Sequence, residues 1–462
     1  MTLLITVPLL VGRCVYYDVT RQLVAHNLGL CTGLTEDTGD EALTPWLHNL
    51  IQEAAGRKVN DAPLTFGDLW SAPAPPENQQ GWESIWSIDL QMFSTNLSHG
   101  RPYIFPLTNQ ADFESTDYGD QTSLYFKEDD MRRCLPADVV HWMVDHSPSL
   151  DRNNRHHENK ELLESPKSED FPILLAARMS LSFPFLFTAV PLYATATDAS
   201  GEKTFRRCWF SDGGISSNFP MHLFEGLIPL WPTFGFNLEP KIEGRDLVFL
   251  PQTYSQGCEE RWNHIPDQRG TSTVGGFIGA IVSTMQNWND NSVARLPGVR
   301  DKVVRVSLEK HEGGMNLNMK DEHIKNIADR GVLAAQELLA RFSTPPRNGR
   351  LITGWDEHRF VRLNILYKTL QQSLSVLILT LSPYRHVTDF STLMQNMMNL
   401  KDDVGNLLPP PGYTEPMTDT ERRLLERFIT NLQTFATDMT TLEKLIRFKP
   451  TPFPILRVRP PL

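Results

Sequence analysis

The chain has 462 residues, of which 40% are hydrophobic and 21% charged, an ordinary globular balance and a length for one large domain with an appendage or for two domains. Its formal net charge of −11 argues against nucleic acid as a partner. The cysteines are five and lack metal-ligand spacing: Cys14, Cys31, Cys134, Cys208 and Cys258. An odd number without a ligand pattern predicts reduced, mostly buried thiols in a cytoplasmic protein rather than a disulfide framework.

Residues 1–33 form an apolar N-terminal segment. Its apolar run Met1–Gly12 ends at Arg13, whereas a membrane-spanning helix needs about 20 apolar residues. No basic region precedes the run and no cleavage pattern follows it, which argues against a secretory signal. The run is therefore interpreted as buried or interfacial or, alternatively, as the end of a longer apolar segment.

Gly29-Leu30-Cys31-Thr32-Gly33 has the spacing of a nucleophile elbow with cysteine as the nucleophile. An elbow needs an apolar strand before it and a helix directly after it. Polar residues flank this segment on both sides. The pattern therefore favours a tight loop with a buried thiol, and a cysteine hydrolase that uses Cys31 is the alternative.

The elements that follow are predicted from apolar periodicity. Helical spacing covers Thr44–Ala55 and Lys127–Asp145, with a break at Pro136. Two short apolar runs, Trp82–Asn96 and Arg101–Leu107, predict a β-hairpin that turns at residues 98–100.

Farther along the chain, strands are predicted at Phe234–Leu238 and Val303–Leu308 and helices at Gly276–Asn289 and Asp321–Phe342. Ser272 lies between glycines that are five positions apart rather than four, so it is predicted to cap a helix and not to act as a nucleophile. Residues 354–462 are predicted to be helical, and the last helix starts with a capping box of Thr418 and Glu421.

The stretch Phe171–Pro220 contains the strongest functional signal. An apolar helix over Pro172–Phe183 is followed by a strand over Thr204–Phe210, which leads into the turn Ser211-Asp212-Gly213-Gly214. Two adjacent glycines allow a tight turn, with positive φ available where it is needed. Asp212 is therefore expected at the rim of a sheet, where open α/β folds keep their reactive groups.

This stretch resembles the second catalytic motif, of Asp-Gly-Ala/Gly type, of the patatin-like phospholipase family, lipid acyl hydrolases that use a Ser–Asp dyad. The matching residues are Ser180 and Pro184, then Asp212-Gly213-Gly214, then Asn218-x-Pro220. The resemblance implies an α/β fold, a three-layer α/β/α sandwich over residues 34–343. It also implies Asp212 as proton acceptor, Gly213 and Gly214 shaping its turn, and neither metal nor organic cofactor. Lipid esters would be the substrate, with peripheral membrane contact allowed.

The family's other motif, Gly-x-Ser-x-Gly, does not occur in this sequence, and no glycine-rich oxyanion loop precedes Gly29. Two explanations remain open. The chain is a shortened form without the family's N-terminal strands, so that its sheet has an unpaired edge, or it has lost catalysis and serves as a lipid- or protein-binding module. The first is favoured because the missing parts belong to one contiguous segment. The sequence indicates neither the lipid class nor the oligomeric state.

Overall fold

The computed structural model describes residues 12–35, 41–58, 60–73, 86–107, 124–148, 161–197, 203–221, 226, 228–229, 233–253, 256–257, 271–309, 311–313, 316, 318–343, 353–381, 390–410 and 415–443. They divide into two compact units. The first contains the described residues up to Asn218 together with Ile281–Asn287. The second contains the described residues of Phe219–Ala280 and Trp288–Pro460.

Eleven strands are present in this part of the chain: β1 Gly29–Cys31, β2 Met92–Asn96, β3 Arg101–Phe105, β4 Leu124–Phe126, β5 Leu163–Glu164, β6 Phe185–Phe187, β7 Val190–Thr197, β8 Lys203–Asp212, β9 Gly235–Pro240, β10 Val248–Phe249 and β11 Val303–Leu308. The α-helices that matter below are α1 Leu43–Ala54, α2 Phe66–Trp70, α3 Glu128–Arg132, α4 Ala137–Asp145, α5 Ile173–Ser180, α6 Thr271–Ala294, α7 Asp321–Phe342, α8 Gly354–Leu381, α9 Phe390–Met398 and α10 Asp419–Glu443.

The first unit is built on a six-stranded sheet of order β3-β2-β8-β7-β4-β5. Strands β2, β7 and β8 pair antiparallel, with Ser94 opposite Asp212 and Val190 opposite Phe210. A separate parallel pair is formed by β1 and β6. The sheets and helices confirm the predicted α/β class, and α8 to α10 confirm the additional helical C-terminal region.

The core of the first unit surrounds α5, because this helix is apolar on nearly all sides. Its residues from Ile173 to Met179 are all buried, as expected for a helix without a polar face. Phe105 stacks on Phe171 at 5.5 Å and meets Phe210 edge-on at 5.7 Å. These aromatic contacts join β3 and the start of α5 to β8, two residues before Asp212.

In the second unit, β11 lies between β9 and β10. Helix α7 packs its buried residues against this sheet, in a cluster of Leu250, Val304, Val306, Ala334, Leu338 and Phe342. Leu374 of α8 packs with Ala436 and Met439 of α10. None of the helices in the described ranges combines the length and apolar character needed to cross a bilayer.

Several predicted elements are confirmed. The hairpin of β2 and β3 turns at residues 97–100, α7 has the predicted bounds, and α4 begins directly after Pro136. The capping box of α10 forms, since the Glu421 carboxylate accepts from the Thr418 backbone N–H at 2.7 Å and Thr418 Oγ1 accepts from the Glu421 N–H at 3.3 Å.

Three predictions are wrong. Residues Gly29–Cys31 form strand β1 rather than a tight loop, because they pair with β6, and Cys31 is exposed rather than buried. Cys14 is exposed as well, so only Cys134 and Cys208 of the four described thiols are buried; Cys258 lies outside the described residues. Ser272 lies inside α6, which begins at Thr271, and not before it. The domain bounds 34–343 and 354–462 stay a prediction.

Candidate functional site

Asp212 is the last residue of β8, at the end of a strand in the interior of the six-stranded sheet. Its location at the rim of a sheet is the predicted one. The strand has neighbours on both sides, β2 and β7, so the expected unpaired edge is not at β8. In the described part of the chain the outer strands of this sheet are β3 and β5.

The backbone of Asp212 is held from two directions. Its N–H donates to the carbonyl oxygen of Ser182 at 3.0 Å. Its own carbonyl oxygen accepts from Thr95 Oγ1 at 2.9 Å. One residue earlier, Ser211 Oγ donates to the same Ser182 carbonyl at 2.8 Å. The end of β8 is therefore fixed both by its neighbour β2 and by the turn that follows α5.

That turn is fixed in its own right by Arg178, which is only 1% exposed. The guanidinium donates to Ser182 Oγ at 2.6 Å and to Thr188 Oγ1 at 3.0 Å. Desolvation lowers the pKa of Arg178, and the neighbouring thiols Cys134 and Cys31 partly oppose this. A buried arginine with hydroxyl and carbonyl acceptors ties α5 to the segment that begins β7, so it supports the site without taking part in it.

Both glycines of the motif lie close to neighbouring atoms, and neither is needed for its φ angle. They begin a 3₁₀ turn, Gly213–Ile215, in which neither has a positive φ. A Cβ atom on Gly213 would lie 2.4 Å from the carbonyl oxygen of Phe93, and one on Gly214 would lie 2.4 Å from Asn218 Oδ1. Since real Cβ atoms essentially never come so close to backbone atoms, the turn packs against β2 only with glycine at position 213. At position 214 the obstacle is the end of the Asn218 side chain, which would have to move.

The Asp212 carboxylate caps this turn. Its Oδ1 accepts a hydrogen bond from the backbone N–H of Gly214 at 2.6 Å. Desolvation raises the pKa of the Asp212 carboxyl, and the Gly214 N–H offsets only part of that rise. The described residues supply no lysine, arginine or histidine as an ion partner. Asp212 is consequently a stronger base than an ordinary surface aspartate.

Asn218, from the Asn-x-Pro part of the motif, lies on the same turn. Its Oδ1 is the atom that a Cβ on Gly214 would strike. Its Nδ2 donates to Asn287 Oδ1 of α6 at 2.8 Å, and both residues belong to the first unit. The structure thus brings together the Asp-Gly-Gly and Asn-x-Pro parts of the motif. Ser180 ends α5, and Pro184 precedes β6 directly.

Sequence reasoning missed the residues that position Asp212: Ser182, Thr95 and Arg178. The only signal for Ser182 is its place in Met-Ser-Leu-Ser-Phe-Pro, in which the family resemblance points to Ser180. Thr95 Oγ1 also lies 2.7 Å from Ser216 Oγ. Thr95 binds the backbone carbonyl of Asp212 and not its carboxylate, so the Thr95 hydroxyl positions Asp212 and does not donate to the acid.

Cys31 has little nucleophilic character. Its thiol donates to the Leu186 carbonyl at 3.0 Å. Partial desolvation raises the pKa of the thiol more than the charge of Arg178 lowers it. A reactive cysteine needs the opposite shift.

A cavity of about 320 Å³ in the first unit is lined by residues that include His26, Asn27, Thr32, Arg133 and Thr188. Asp212 is not part of its lining, so the cavity is separate from the motif. Among the described histidine, cysteine and carboxylate side chains, no three lie close enough together to hold a metal ion.

Two comparisons with known proteins gave a match, one to a family model and one to a relative of similar sequence. The family model for patatin-like phospholipase matches residues 102–225, which include Asp212 and its whole turn. A relative from Rhizobium meliloti (strain 1021), described as an RpoH suppressor, is 33% identical over 495 aligned residues that cover 96% of this chain and 71% of the relative. No solved structure matches the chain.

Proposed function

The chain belongs to the patatin-like phospholipase family, and we propose that Asp212 is the proton acceptor of a Ser–Asp dyad that hydrolyses acyl esters of lipids. The observation that supports this role most directly is the state of the carboxylate. It has a single backbone donor, lies half-buried without a cation among the described residues, and has a raised pKa. A carboxyl group with a pKa nearer to neutrality is a better general base.

In the proposed reaction, a serine hydroxyl oxygen attacks the ester carbonyl carbon while its proton moves to Asp212. The tetrahedral intermediate then expels the alcohol, which takes the proton from Asp212. Water attacks the acyl-enzyme next and gives its proton to Asp212. Collapse of the second intermediate returns that proton to the serine oxygen and releases the fatty acid.

The fixed backbone of Asp212 would serve this cycle by keeping the carboxylate in one position. Its N–H and C=O are bound to Ser182 and Thr95, and its Oδ1 is bound to Gly214. These contacts leave Oδ2 to receive the proton. A base held in place before the reaction needs no reorganisation when the proton is transferred.

A second function follows from a different observation. The sequence has no Gly-x-Ser-x-Gly, so the chain by itself lacks the family's nucleophile motif. This favours, as the alternative, a patatin-like module that binds lipid or protein without turning over an ester. Asp212 would then serve only as the cap of the Gly213–Ile215 turn.

The test compares Asp212→Asn with Asp129→Asn, an exposed aspartate of α3. Release of fatty acid from phospholipid vesicles is measured for the protein made from its complete coding sequence, including any codons upstream of Met1. We expect Asp212→Asn to lower the rate about 10³-fold, because general bases contribute roughly 10²- to 10⁴-fold, and Asp129→Asn to leave it unchanged. If folded Asp212→Asn protein released fatty acid at the normal rate, the proposed role of Asp212 would be contradicted.

A serine-directed fluorophosphonate separates the two functions. If the binding-module alternative holds, the chain of 462 residues and the product of the complete coding sequence both stay unlabelled and release no fatty acid. Labelling of the longer product only, with its site mapped by mass spectrometry to a serine outside the present sequence, would support the dyad. Labelling of the present chain would show a nucleophile that its motifs do not reveal.

A further inference from the structure

Helix α6 carries an apolar stripe that is exposed to solvent. The stripe consists of Val274, Phe277, Ile278, Ile281, Val282 and Met285, and each is at least 44% exposed. Spacings of three and four residues place these side chains on one face of an α-helix. A stripe of this kind normally faces a protein core, so its exposure on a long helix needs an explanation.

The rest of this part of the helix is polar but uncharged. From Thr271 to Asn289 the sequence contains no aspartate, glutamate, lysine, arginine or histidine, and glycine, serine and threonine alternate with the stripe. Gly275 and Gly279 have no atom within 4 Å of an added Cβ, so these turns are open on the side of the glycines too. This part of the helix therefore has no charged side chain with which to bind a charged partner.

The far end of the helix is anchored. Asp290 is 4% exposed and accepts from the Phe219 backbone N–H at 2.9 Å. Three residues earlier, Asn287 accepts from Asn218 of the Asp212 turn at 2.8 Å. The turns that carry the stripe therefore lead directly into the residues that contact the motif.

We infer that the stripe of α6 inserts into the surface of an uncharged lipid assembly and so docks the protein where its substrate lies. This inference rests on the proposed function, because it gives the helix beside the Asp212 turn the task of presenting lipid esters. Amphipathic helices that lie in the membrane interface bury one apolar face at the boundary of headgroups and acyl chains. Without charges on the other face, binding depends on the apolar side chains alone.

Charge decides which kind of lipid surface fits. The helix offers no cation to anionic headgroups, and the whole chain has a formal net charge of −11, which such headgroups repel. Zwitterionic surfaces carry no such penalty. Loosely packed, strongly curved surfaces fit best, because their packing defects admit bulky side chains such as Phe277 without help from charge.

The experiment is flotation of the purified chain with phosphatidylcholine vesicles. We expect binding that is stronger to small sonicated vesicles than to large extruded ones, and that changes little with added salt. Ile278→Asp should lower the partition coefficient by at least ~10-fold, because a charge replaces an apolar side chain that the lipid surface would otherwise bury. The matched control is Ile324→Asp on α7, since Ile324 is 52% and Ile278 55% exposed; it should bind like the unmodified chain.

Four results would overturn the inference. They are the absence of flotation, equal binding of the two isoleucine variants, equal binding to small and large vesicles, and binding that requires anionic lipid. A dimer that Ile278→Asp converts to a monomer, without any flotation, would assign the stripe to a second copy instead. Flotation needs no ester hydrolysis, so loss of the stripe's role and loss of Asp212's role are measured independently.

Discussion

Asp212 is half-buried and Asp301 is fully buried, and the fold shifts the pKa values of these two acids in opposite directions. Asp301 precedes β11, is 1% exposed, and accepts from His358 Nδ1 of α8 at 2.7 Å. Burial alone would raise the pKa of Asp301, but the hydrogen bond and charge of His358 outweigh it and the pKa is lowered. For Asp212, desolvation is opposed only by one backbone N–H, and the pKa is raised.

The difference shows that the partner, more than burial, decides what a buried acid can do. A carboxylate next to a basic side chain is stabilised in its charged form, so it is a poor proton acceptor and a good structural contact. A carboxylate with only a peptide donor keeps its affinity for a proton. Burial and neighbouring groups shift the pKa values of acids at functional sites to suit proton transfer, and the raised pKa of Asp212 is a shift in that direction.

The largest effect on stability is expected for Asp301→Asn. The substitution removes a buried charged hydrogen bond to His358 and should lower the free energy of unfolding by ~3 kcal/mol at neutral pH. Urea unfolding measures it, with Asp329→Asn, an exposed aspartate of α7, as a control near zero. A loss no larger than that of the control would mean that Asp301 is not stabilised by its partner, and the contrast with Asp212 would fail.

The sequence predicts the helix, the strand and the turn that lead to Asp212, but it does not predict the partners of Asp212 and Asp301. The apolar run of α5, the strand β8 and the glycine turn are local patterns, and all three form. Thr95 and Asp212 are 117 positions apart and His358 and Asp301 are 57 apart, so nothing in their local sequence marks these partners. The strand and the two glycines predict a rim position for Asp212, and the family resemblance adds its role as proton acceptor.

The wrong prediction for Cys31 has the same physical origin, because it too depends on a contact between segments that are far apart in the sequence. The glycines and polar flanks of Cys31 predict a loop, whereas these residues form a strand by pairing with β6, which lies far along the chain. The apolar stripe of α6 shows a second limit of sequence-based prediction, which concerns burial rather than pairing. Its periodicity predicts a helix in the same way whether the apolar face is buried or exposed, and only the three-dimensional structure shows that it is exposed.

The next largest effect is expected for Gly213→Ala, which tests whether the turn is fixed by space. The added Cβ would meet the backbone oxygen of Phe93 at 2.4 Å, so the strands must shift and the free energy of unfolding should fall by ~2 kcal/mol. The control is Gly279→Ala on α6, where nothing lies within 4 Å. That change should stabilise the helix by ~1 kcal/mol. Equal behaviour of the two variants would contradict the steric role of Gly213.

The smallest effect is expected for Asp212→Asn, which should raise the free energy of unfolding, whereas Asp301→Asn should lower it. Because the folded pKa of Asp212 is raised, its ionisation costs stability, and this cost develops as the pH rises through the unfolded and then the folded pKa. Asp212→Asn removes the charge but keeps an oxygen to accept from Gly214, so it should raise the free energy of unfolding by ~1 kcal/mol at neutral pH.

For Asp301 the lowered pKa means that stability is present at neutral pH and is lost as the pH falls through the folded value. Urea unfolding at a series of pH values from neutral down to the unfolded pKa of an aspartate, about 3.9, should therefore show the advantage of Asp212→Asn shrinking toward acid pH. A variant that is less stable than the unmodified chain at neutral pH would show that the Asp212 carboxylate is a structural cap, and its place as a poised base would be lost.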